Sequence, residues 1–318
     1  MTTSTSSTSA IAGALLIAVT ACGGGSSTGA GGAGGTGGSS NTGGGEGGTG
    51  GTSTGTGTGT GTTMTFHPGV LVDRGVVVRY YLDEAADGQG PTAALDATTD
   101  PLDLPITYVN DVEGMHLTYT EDADGNRGLS FDAASRDDRA SAPIDTTKVR
   151  AMVEGGTEVT YELVAALLDA SSSGSRLLHI GFDEDHTLSL ETNSVTRLCA
   201  SVNDADAGQV SVFHPVLGRG VFHMVVDVTQ SAPEDRARLY VNGANLPNVQ
   251  NVFAAQGMPI TIGDMRHLVI GNREIGERTP QGTIFYAAIY NVALDDAEVA
   301  QNAALLLLDD DTPTTPAN

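Results

Sequence analysis

The stretch RARLYVNG, residues 236–243, decides the fold of this chain. Its side chains alternate, so that Ala237, Leu239 and Val241 fall on one face of a strand and the residues between them fall on the other. This pattern predicts a half-buried β-strand. The Asn242-Gly243 pair that closes the stretch tolerates positive φ at both positions, which a two-residue turn between antiparallel strands requires. The stretch therefore predicts one arm and the turn of a β-hairpin.

Short β segments of the same kind lie on both sides of the hairpin. They cover residues 76–82, 128–132, 159–168, 176–181, 187–190, 195–202, 209–213, 221–228, 267–271 and 283–290. The last segment is apolar on both faces, as a central strand should be. A helix follows, with Asp295 as its N-cap and an end near Leu307. Many short strands bounded by Gly, Asp, Asn or Pro predict an all-β sandwich of two sheets.

Composition divides the 318 residues into four segments. Residues 1–22 contain an apolar run and are predicted to be an export signal. Residues 23–63 are almost entirely Gly, Thr, Ser and Ala, which bury too little apolar surface to offset their chain entropy, so we expect a disordered tether. Residues 64–308 can build a folded domain, and residues 309–318 are expected to be a solvated tail.

The apolar run between Ala10 and Val19 is too short to span a bilayer, which takes about 20 residues, and it suits the centre of a signal peptide. It ends in Val19-Thr20-Ala21-Cys22, which resembles a bacterial lipobox. The resemblance implies lipidation of Cys22 and, because Gly23 rather than Asp follows, an outer-membrane or cell-surface location. No Lys or Arg precedes the run, a departure from the usual signal. The alternative is an apolar amino end with a chance cysteine.

Charge limits the classes of partner. The formal net charge is −24, and Lys148 is the only lysine. Nucleic-acid binding needs a basic stripe that neutralises phosphates, so nucleic acid is excluded as a partner. The acidity favours solubility. We expect a monomer that meets the membrane only through its lipid.

Six segments in order resemble the bacterial laminin-G-like domain of the concanavalin A-like lectin/glucanase superfamily, over roughly residues 74–307. They are VRYYLDE at 78–84, GLSFD at 128–132, VFHMVV at 221–226, RLYVNG at 238–243, LVIGNR at 268–273, and GTI to IYNVAL at 282–294. The resemblance implies a jelly-roll sandwich of two antiparallel sheets, one of them concave. The chain departs from the family in having no Trp, and in having Phe285 and Tyr286 where acidic residues, one of them a calcium ligand, are common.

The resemblance also implies a calcium site at Asp83 and Glu84, which match the first acidic pair of the family. Calcium takes six to eight oxygen ligands, so these two residues would need help from neighbouring loops. The run DADGN at 122–126 copies the start of a calcium loop, but Arg127 and Ala133 stand where that loop requires Gly and Glu. A solvated turn is the favoured interpretation of that run.

No catalytic set is visible in the sequence. Glucanases of this superfamily carry a Glu-x-Asp-x-Glu strand, and the nearest cluster here, residues 183–185, follows Gly181 in a predicted turn. The histidines show no zinc spacing, and His223 is expected to pack rather than bind. With Cys22 lipidated, Cys199 would have no disulfide partner and would be a buried apolar residue.

Three functions remain open. The leading hypothesis is a surface-tethered, non-catalytic lipoprotein whose domain binds carbohydrate or an envelope or extracellular protein. The second is a polysaccharide hydrolase whose carboxylates converge from distant strands. The third is a purely structural envelope protein. Because a fold alone is weak evidence for function, the sequence leaves the ligand undetermined.

Overall fold

The computed structural model describes residues 70–109, 115–132, 134–169, 174–182, 187–194, 197–203, 209–213, 218–247 and 255–310. In these ranges the chain forms sixteen strands and two α-helices. In chain order, the elements before the long central strands are β1 Val76–Tyr80, β2 Ala93–Ala94, β3 Leu104–Thr107, β4 Leu117–Glu121, β5 Arg127–Phe131, β6 Arg139–Pro143 and α1 Lys148–Val153. The remaining elements are β7 Glu158–Asp169, β8 Ser175–Gly181, β9 Leu188–Ser194, β10 Arg197–Val202, β11 Gln209–Phe213, β12 Gly218–Asp227, β13 Ala237–Val241, β14 Ala244–Asn245, β15 His267–Ile270, β16 Gln281–Tyr290 and α2 Asp296–Leu306.

The strands form two antiparallel sheets. Sheet I has the order β14-β13-β12-β7-β16-β5-β4, with β1 also paired to β16. Sheet II has the order β11-β10-β9-β8-β15-β6-β3-β2. The predicted all-β sandwich of two sheets with a short C-terminal helix is confirmed. The strand predicted to be central, β16, pairs with β7 on one side and with β5 and β1 on the other.

The hairpin has the predicted turn. Val241 pairs with Ala244, which leaves Asn242 and Gly243 as a two-residue loop. Their φ angles are 52° and 79°, as a turn with positive φ at both positions requires. The side chain of Asn242 accepts a hydrogen bond from the backbone N–H of Val221 at 2.9 Å, which fixes the turn to β12.

The prediction that β13 is half-buried holds for Arg238, which stays partly exposed, but is wrong for Tyr240. Ala237, Leu239 and Val241 lie in the core between the sheets, as expected. Tyr240, on the other face, is only 1% exposed and packs in a second apolar cluster with Val299 and other residues of α2. A local alternation cannot show that a helix some fifty positions later in the chain covers the polar face.

Several elements were not predicted, namely β2, β3, β4, β6, β14 and α1. Their sequences contain weak strand signals: β3 is LPIT and β6 is RASAP, with proline and small residues in place of long β-branched runs. β9 also extends to Ser194, beyond the predicted segment. These short strands are held in their respective sheets by their neighbours rather than by their own propensity.

Helix α2 is capped at both ends. The side chain of Asp295 accepts from the backbone N–H groups of Ala297 and Glu298, and Glu298 accepts from the N–H of Asp295, so the predicted cap is part of a capping box. At the other end, Arg219 donates to the carbonyl oxygens of Leu306 and Leu307 at 2.9 and 3.0 Å. Within the described ranges, neither helix has the length and apolar character needed to cross a membrane.

Candidate functional site

The face of sheet II that points away from sheet I carries polar side chains. Along β9, Leu188 and Leu190 belong to the core between the sheets, so the alternating Ser189 and Glu191 point to the other face. In β10 the same alternation directs Ser201 outward, because its neighbours Ala200 and Val202 are core residues. We call this side of sheet II its outer face.

A central row of side chains crosses five strands of the outer face. Ser201 is the register partner of Ser189, which is the partner of His179. His179 faces Val269, which in turn faces Ser141. Neighbouring strands lie about 4.8 Å apart, so the row places two hydroxyl groups and one imidazole on consecutive strands, followed by Val269 and a third hydroxyl. Ser201, Ser189 and His179 are fully buried in this structure.

A second row lies beside it and contains Arg176, Glu191 and Cys199. Glu191 is the register partner of both other residues. Arg176 forms a salt bridge with Glu191, which also accepts a hydrogen bond from the hydroxyl of Ser201 at 3.4 Å. Arg176 is 3% exposed and Glu191 is 1% exposed. A charged pair in so dry a position needs well-placed partners, and the guanidinium of Arg176 meets that need for Glu191.

The chemistry of the two rows is that of hydrogen bonding. They combine donors, acceptors and one charge-assisted pair, and they contain one carboxylate, Glu191. Glycoside hydrolysis by the common mechanisms takes two carboxyl groups flanking the bond, and the two rows do not supply that pair. Sequence reasoning missed both rows, because they unite residues from five separate strands whose individual segments are unremarkable.

The acidic pair predicted to bind calcium lies in the loop after β1. The carboxylate of Glu84 accepts hydrogen bonds from the hydroxyl of Tyr119 and from the N–H of Leu95, the latter at 2.7 Å. Burial raises the pKa of Glu84, although these two hydrogen bonds oppose the shift. Asp83 precedes it at the same corner, and its carbonyl oxygen accepts from Arg127. Over the described part of the chain, no three or more His, Cys, Asp or Glu side chains form a group that could hold a metal ion.

The run at 122–126 forms a turn between β4 and β5. One oxygen of Asp122 accepts from the N–H of Asp124 at 2.9 Å and of Asn126 at 3.0 Å. The turn is thus closed by its own side chain, in agreement with the interpretation as a solvated turn. The other acidic cluster that the sequence singled out, residues 183–185, and also Ala133 lie outside the described residues.

A buried polar cluster lies on the outer face of sheet I, beneath α2. One oxygen of Glu162 accepts from the hydroxyls of Tyr286 and Tyr290 at 3.0 and 2.8 Å. The other lies 2.9 Å from Nε2 of His223 and accepts from Nδ2 of Asn302 at 2.7 Å. We call these five residues the Glu162 cluster. His223 is buried, as a packing residue should be.

Glu162 is ionised in this cluster. Burial alone would raise the pKa of its carboxyl, but the hydrogen bond and charge of His223 and the hydrogen bonds from Asn302 and Tyr290 outweigh burial and hold that pKa below its usual range. Because both oxygens are occupied and α2 covers them, the cluster fastens the helix to the sheet. The signal in the sequence was one glutamate inside the apolar run at 159–168.

The two cysteines had different expected fates. Cys199 is buried, as predicted, but the prediction that it forms no disulfide is wrong, because Cys199 is disulfide-bonded. The chain contains one other cysteine, Cys22, which lies outside the described residues together with the predicted signal and tether. A lipid thioether at Cys22 and a disulfide between the two cysteines of one chain exclude each other.

Comparison with known proteins gives fold-level likeness only. No protein-family model and no curated protein matches the chain. Among solved structures, Trypanosoma rangeli sialidase with sialic acid matches at 16% identity and a TM-score of 0.46, covering 76% of this chain and 34% of the sialidase. Domain 4 of the GH43 arabinanase AbnA from Geobacillus stearothermophilus, in complex with arabinotriose, matches at 16% identity and a TM-score of 0.46. The match covers 72% of this chain and 98% of that domain. The binding domain of botulinum neurotoxin DC, in complex with rat synaptotagmin II, matches at 9% identity and a TM-score of 0.49. The match covers 72% of this chain and 51% of the toxin chain.

This chain therefore spans about a third of the length of the sialidase chains that it matches. The class that the fold itself defines is an antiparallel β-sandwich of two sheets, closed on one outer face by a C-terminal helix.

Proposed function

We propose that this sandwich is a non-catalytic binding domain and that the outer face of sheet II receives a carbohydrate. The observation that carries the proposal is the pair of polar rows, which places Arg176, His179, Ser189, Glu191 and Ser201 side by side across three strands. Hydroxyl-rich ligands offer donors and acceptors at short regular spacing, and the rows offer the complementary groups. The rows contain no aromatic platform, so recognition rests on hydrogen bonds.

Binding requires that this face opens. His179, Ser189 and Ser201 are fully buried, and the Arg176–Glu191 pair is nearly so. A sugar that reached this face would exchange hydrogen bonds with these hydroxyl and imidazole groups. A site of this kind rejects ligands that leave its buried polar groups unpaired, and that requirement is the source of its specificity.

We also propose that the domain is exported and, in the form of the chain in which Cys199 is reduced, lipid-anchored at Cys22, with residues 23–63 as a tether. A flexible chain of about 41 residues has an end-to-end reach of roughly 35 Å, which would hold the domain off an outer-membrane surface. Several acyl chains at about 0.8 kcal/mol per buried methylene would make the attachment stable. Mass analysis of the natural protein tests this directly: a thioether-linked lipid on Cys22 supports the anchor, and a Cys22–Cys199 disulfide overturns it.

Glycan screening of the full chain tests the binding proposal. The chain should be screened against glycans and against envelope proteins, each with and without calcium, because calcium at Asp83 and Glu84 remains a proposal. The expected result is glycan binding that the double change Ser189→Ala and Ser201→Ala weakens about tenfold or more. The matched control is Ser130→Ala on β5 of sheet I.

Three outcomes would contradict the carbohydrate proposal. Equal weakening by the control change would mean that the effect is not local to the outer face. Capture of a protein ligand in place of a glycan would favour the protein-binding alternative. Turnover of a polysaccharide that is lost on replacing one carboxylate would establish a hydrolase.

A further inference from the structure

We propose that α2 and residues 70–75 form a clasp that carries mechanical load from the N-terminal side of the chain into sheet I. The inference rests on the proposed function, in which the domain is held through its N-terminal tether and grips a ligand. Residues 70–75, which we call the entry segment, lead directly into β1. They are joined to α2 by side-chain contacts across more than two hundred positions of sequence.

Two amide side chains of α2 hold the backbone of the entry segment. The N–H of Val72 donates to Oδ1 of Asn302 at 2.9 Å, and Nε2 of Gln301 donates to the carbonyl oxygen of Val70 at 2.7 Å. Asn302 is fully buried. A tether pulling on residue 70 would therefore load the helix before it reaches any strand.

A salt bridge makes the second connection. The guanidinium of Arg74 donates to both carboxylate oxygens of Glu298, at 3.0 and 2.6 Å, and to the carbonyl oxygen of Ala293 at 3.1 Å. Two parallel bonds to one carboxylate fix direction as well as distance. The side chain of Glu298 is 5% exposed, so water competes little with this bridge. Glu298 also closes the capping box of α2, which ties the entry segment to the first turn of the helix.

Asn302 passes the load into the centre of sheet I. Its Nδ2 donates to Glu162 on β7 at 2.7 Å and to the hydroxyl of Tyr290 on β16 at 3.2 Å. One buried side chain thus connects the backbone of Val72 with two neighbouring central strands. From the sheet side, Arg79 on β1 donates to the carbonyl oxygen of Val72 at 2.9 Å.

The clasp and the polar rows lie on opposite outer faces of the sandwich. The entry segment and α2 cover the outer face of sheet I, whereas the rows lie on the outer face of sheet II. A domain held by its tether and by a ligand on the rows would be pulled between these two faces. Because the entry segment precedes β1 along the chain, the clasp contacts would be loaded before the ladder between β1 and β16.

Force spectroscopy on the full chain can test the clasp. In the first, N-terminal geometry, one handle is attached at position 70, where Val70 is 43% exposed, and the other at position 265, where Met265 is 61% exposed. In the second, the handles are attached at positions 168 and 265, where Leu168 is 78% exposed and the clasp is not in line. Because the handles supply the load, the result does not depend on the lipid or on the ligand.

The central variant is Asn302→Ala. At constant force it should raise the rate of the first opening step about tenfold in the N-terminal geometry, and it should have a clearly smaller effect in the second geometry. The control is Asn203→Ala, since Asn203 also bridges two backbone groups, the carbonyl of Pro259 and the N–H of Thr261, but lies far from α2 in the topology. The control variant should change the rate of the first opening step by the same factor in both geometries.

Arg74→Gln gives a milder version of the same test. It removes the bridge to Glu298 without leaving a cavity under α2, and it serves if Asn302→Ala does not fold. A rate that rises equally in both geometries, or in neither, would overturn the clasp. Loss of glycan binding with a normal clasp response would contradict only the proposed binding function.

Discussion

Nε2 of His223 lies 2.9 Å from Oε2 of Glu162, and both side chains are completely buried on the outer face of sheet I. This pair joins β12 to β7 at the level where Asn302 of α2 reaches the same carboxylate. A charged group in such a place is tolerated only when every lone pair finds a donor, and Glu162 has four. The cluster makes the attachment of α2 dependent on the ionisation of one carboxyl.

Acid should weaken the fold through Glu162. Because its folded-state pKa is lowered, the ionised carboxylate contributes stability that is complete above the unfolded-state pKa of about 4.3 and is lost as pH falls through the folded-state pKa. Glu162→Gln should lower the free energy of unfolding at pH 7 by about 1–3 kcal/mol and flatten this acid dependence. Urea titrations between pH 7 and pH 3 would measure both effects. The exposed Glu121→Gln is the control, and an unchanged acid slope in the Glu162 variant would contradict the prediction.

Gly271 should not tolerate a side chain. Its φ is +76°, and a Cβ there would lie 2.1 Å from Cζ of Phe131. Gly271→Ala should therefore add overpacking of about 1–3 kcal/mol to the backbone strain. Gly88→Ala is the matched control, with φ +74° and nothing within 4 Å of the added Cβ. Equal losses of unfolding free energy in the two variants would show that the contact with Phe131 does not matter.

Asp295→Ala should destabilise the protein by about 1 kcal/mol, because the carboxylate caps two backbone N–H groups of α2. Thermal or urea unfolding would give the value. Thr147→Ala is the control, because Thr147 occupies the N-cap position of α1 but its side chain makes no capping hydrogen bond. We expect this change to lower the free energy of unfolding less than Asp295→Ala. A comparable loss in that variant would argue against the capping explanation.

Lys148→Met should cost about 3 kcal/mol of unfolding free energy. The ammonium of Lys148 lies 2.7 Å from Asp96, whose side chain is fully buried, and the change would leave that carboxylate without its counter-charge. Arg150→Met on the same helix is the control. Its ion pairs with Asp145, Glu154 and Asp264 are at the surface, so we expect the unfolding midpoint to stay nearly unchanged. A small effect at Lys148 would mean that the backbone donors to Asp96 suffice.

Local sequence signals predicted what depends on neighbouring residues. Short stretches of sequence were enough to predict the turn at Asn242-Gly243, the cap at Asp295 and the long apolar strand β16. Turn dihedrals, helix caps and strand alternation each depend on only a few neighbouring positions. The sandwich followed from the repetition of such windows. Strands such as β3 and β6 were not predicted, because their residues favour a strand only when partner strands already lie beside them.

The sequence by itself determined the fold class, the turn of the hairpin and the cap of the C-terminal helix. Only the tertiary structure decided that α2 covers the second face of β13, that Glu162 collects four donors, and that Ser141, His179, Ser189 and Ser201 share one row. The reason is physical: each of these arrangements depends on register between strands and helices that are distant in the chain. A short stretch of sequence shows the periodicity of one strand, whereas the chemistry of a sheet face depends on the register in which several strands pair.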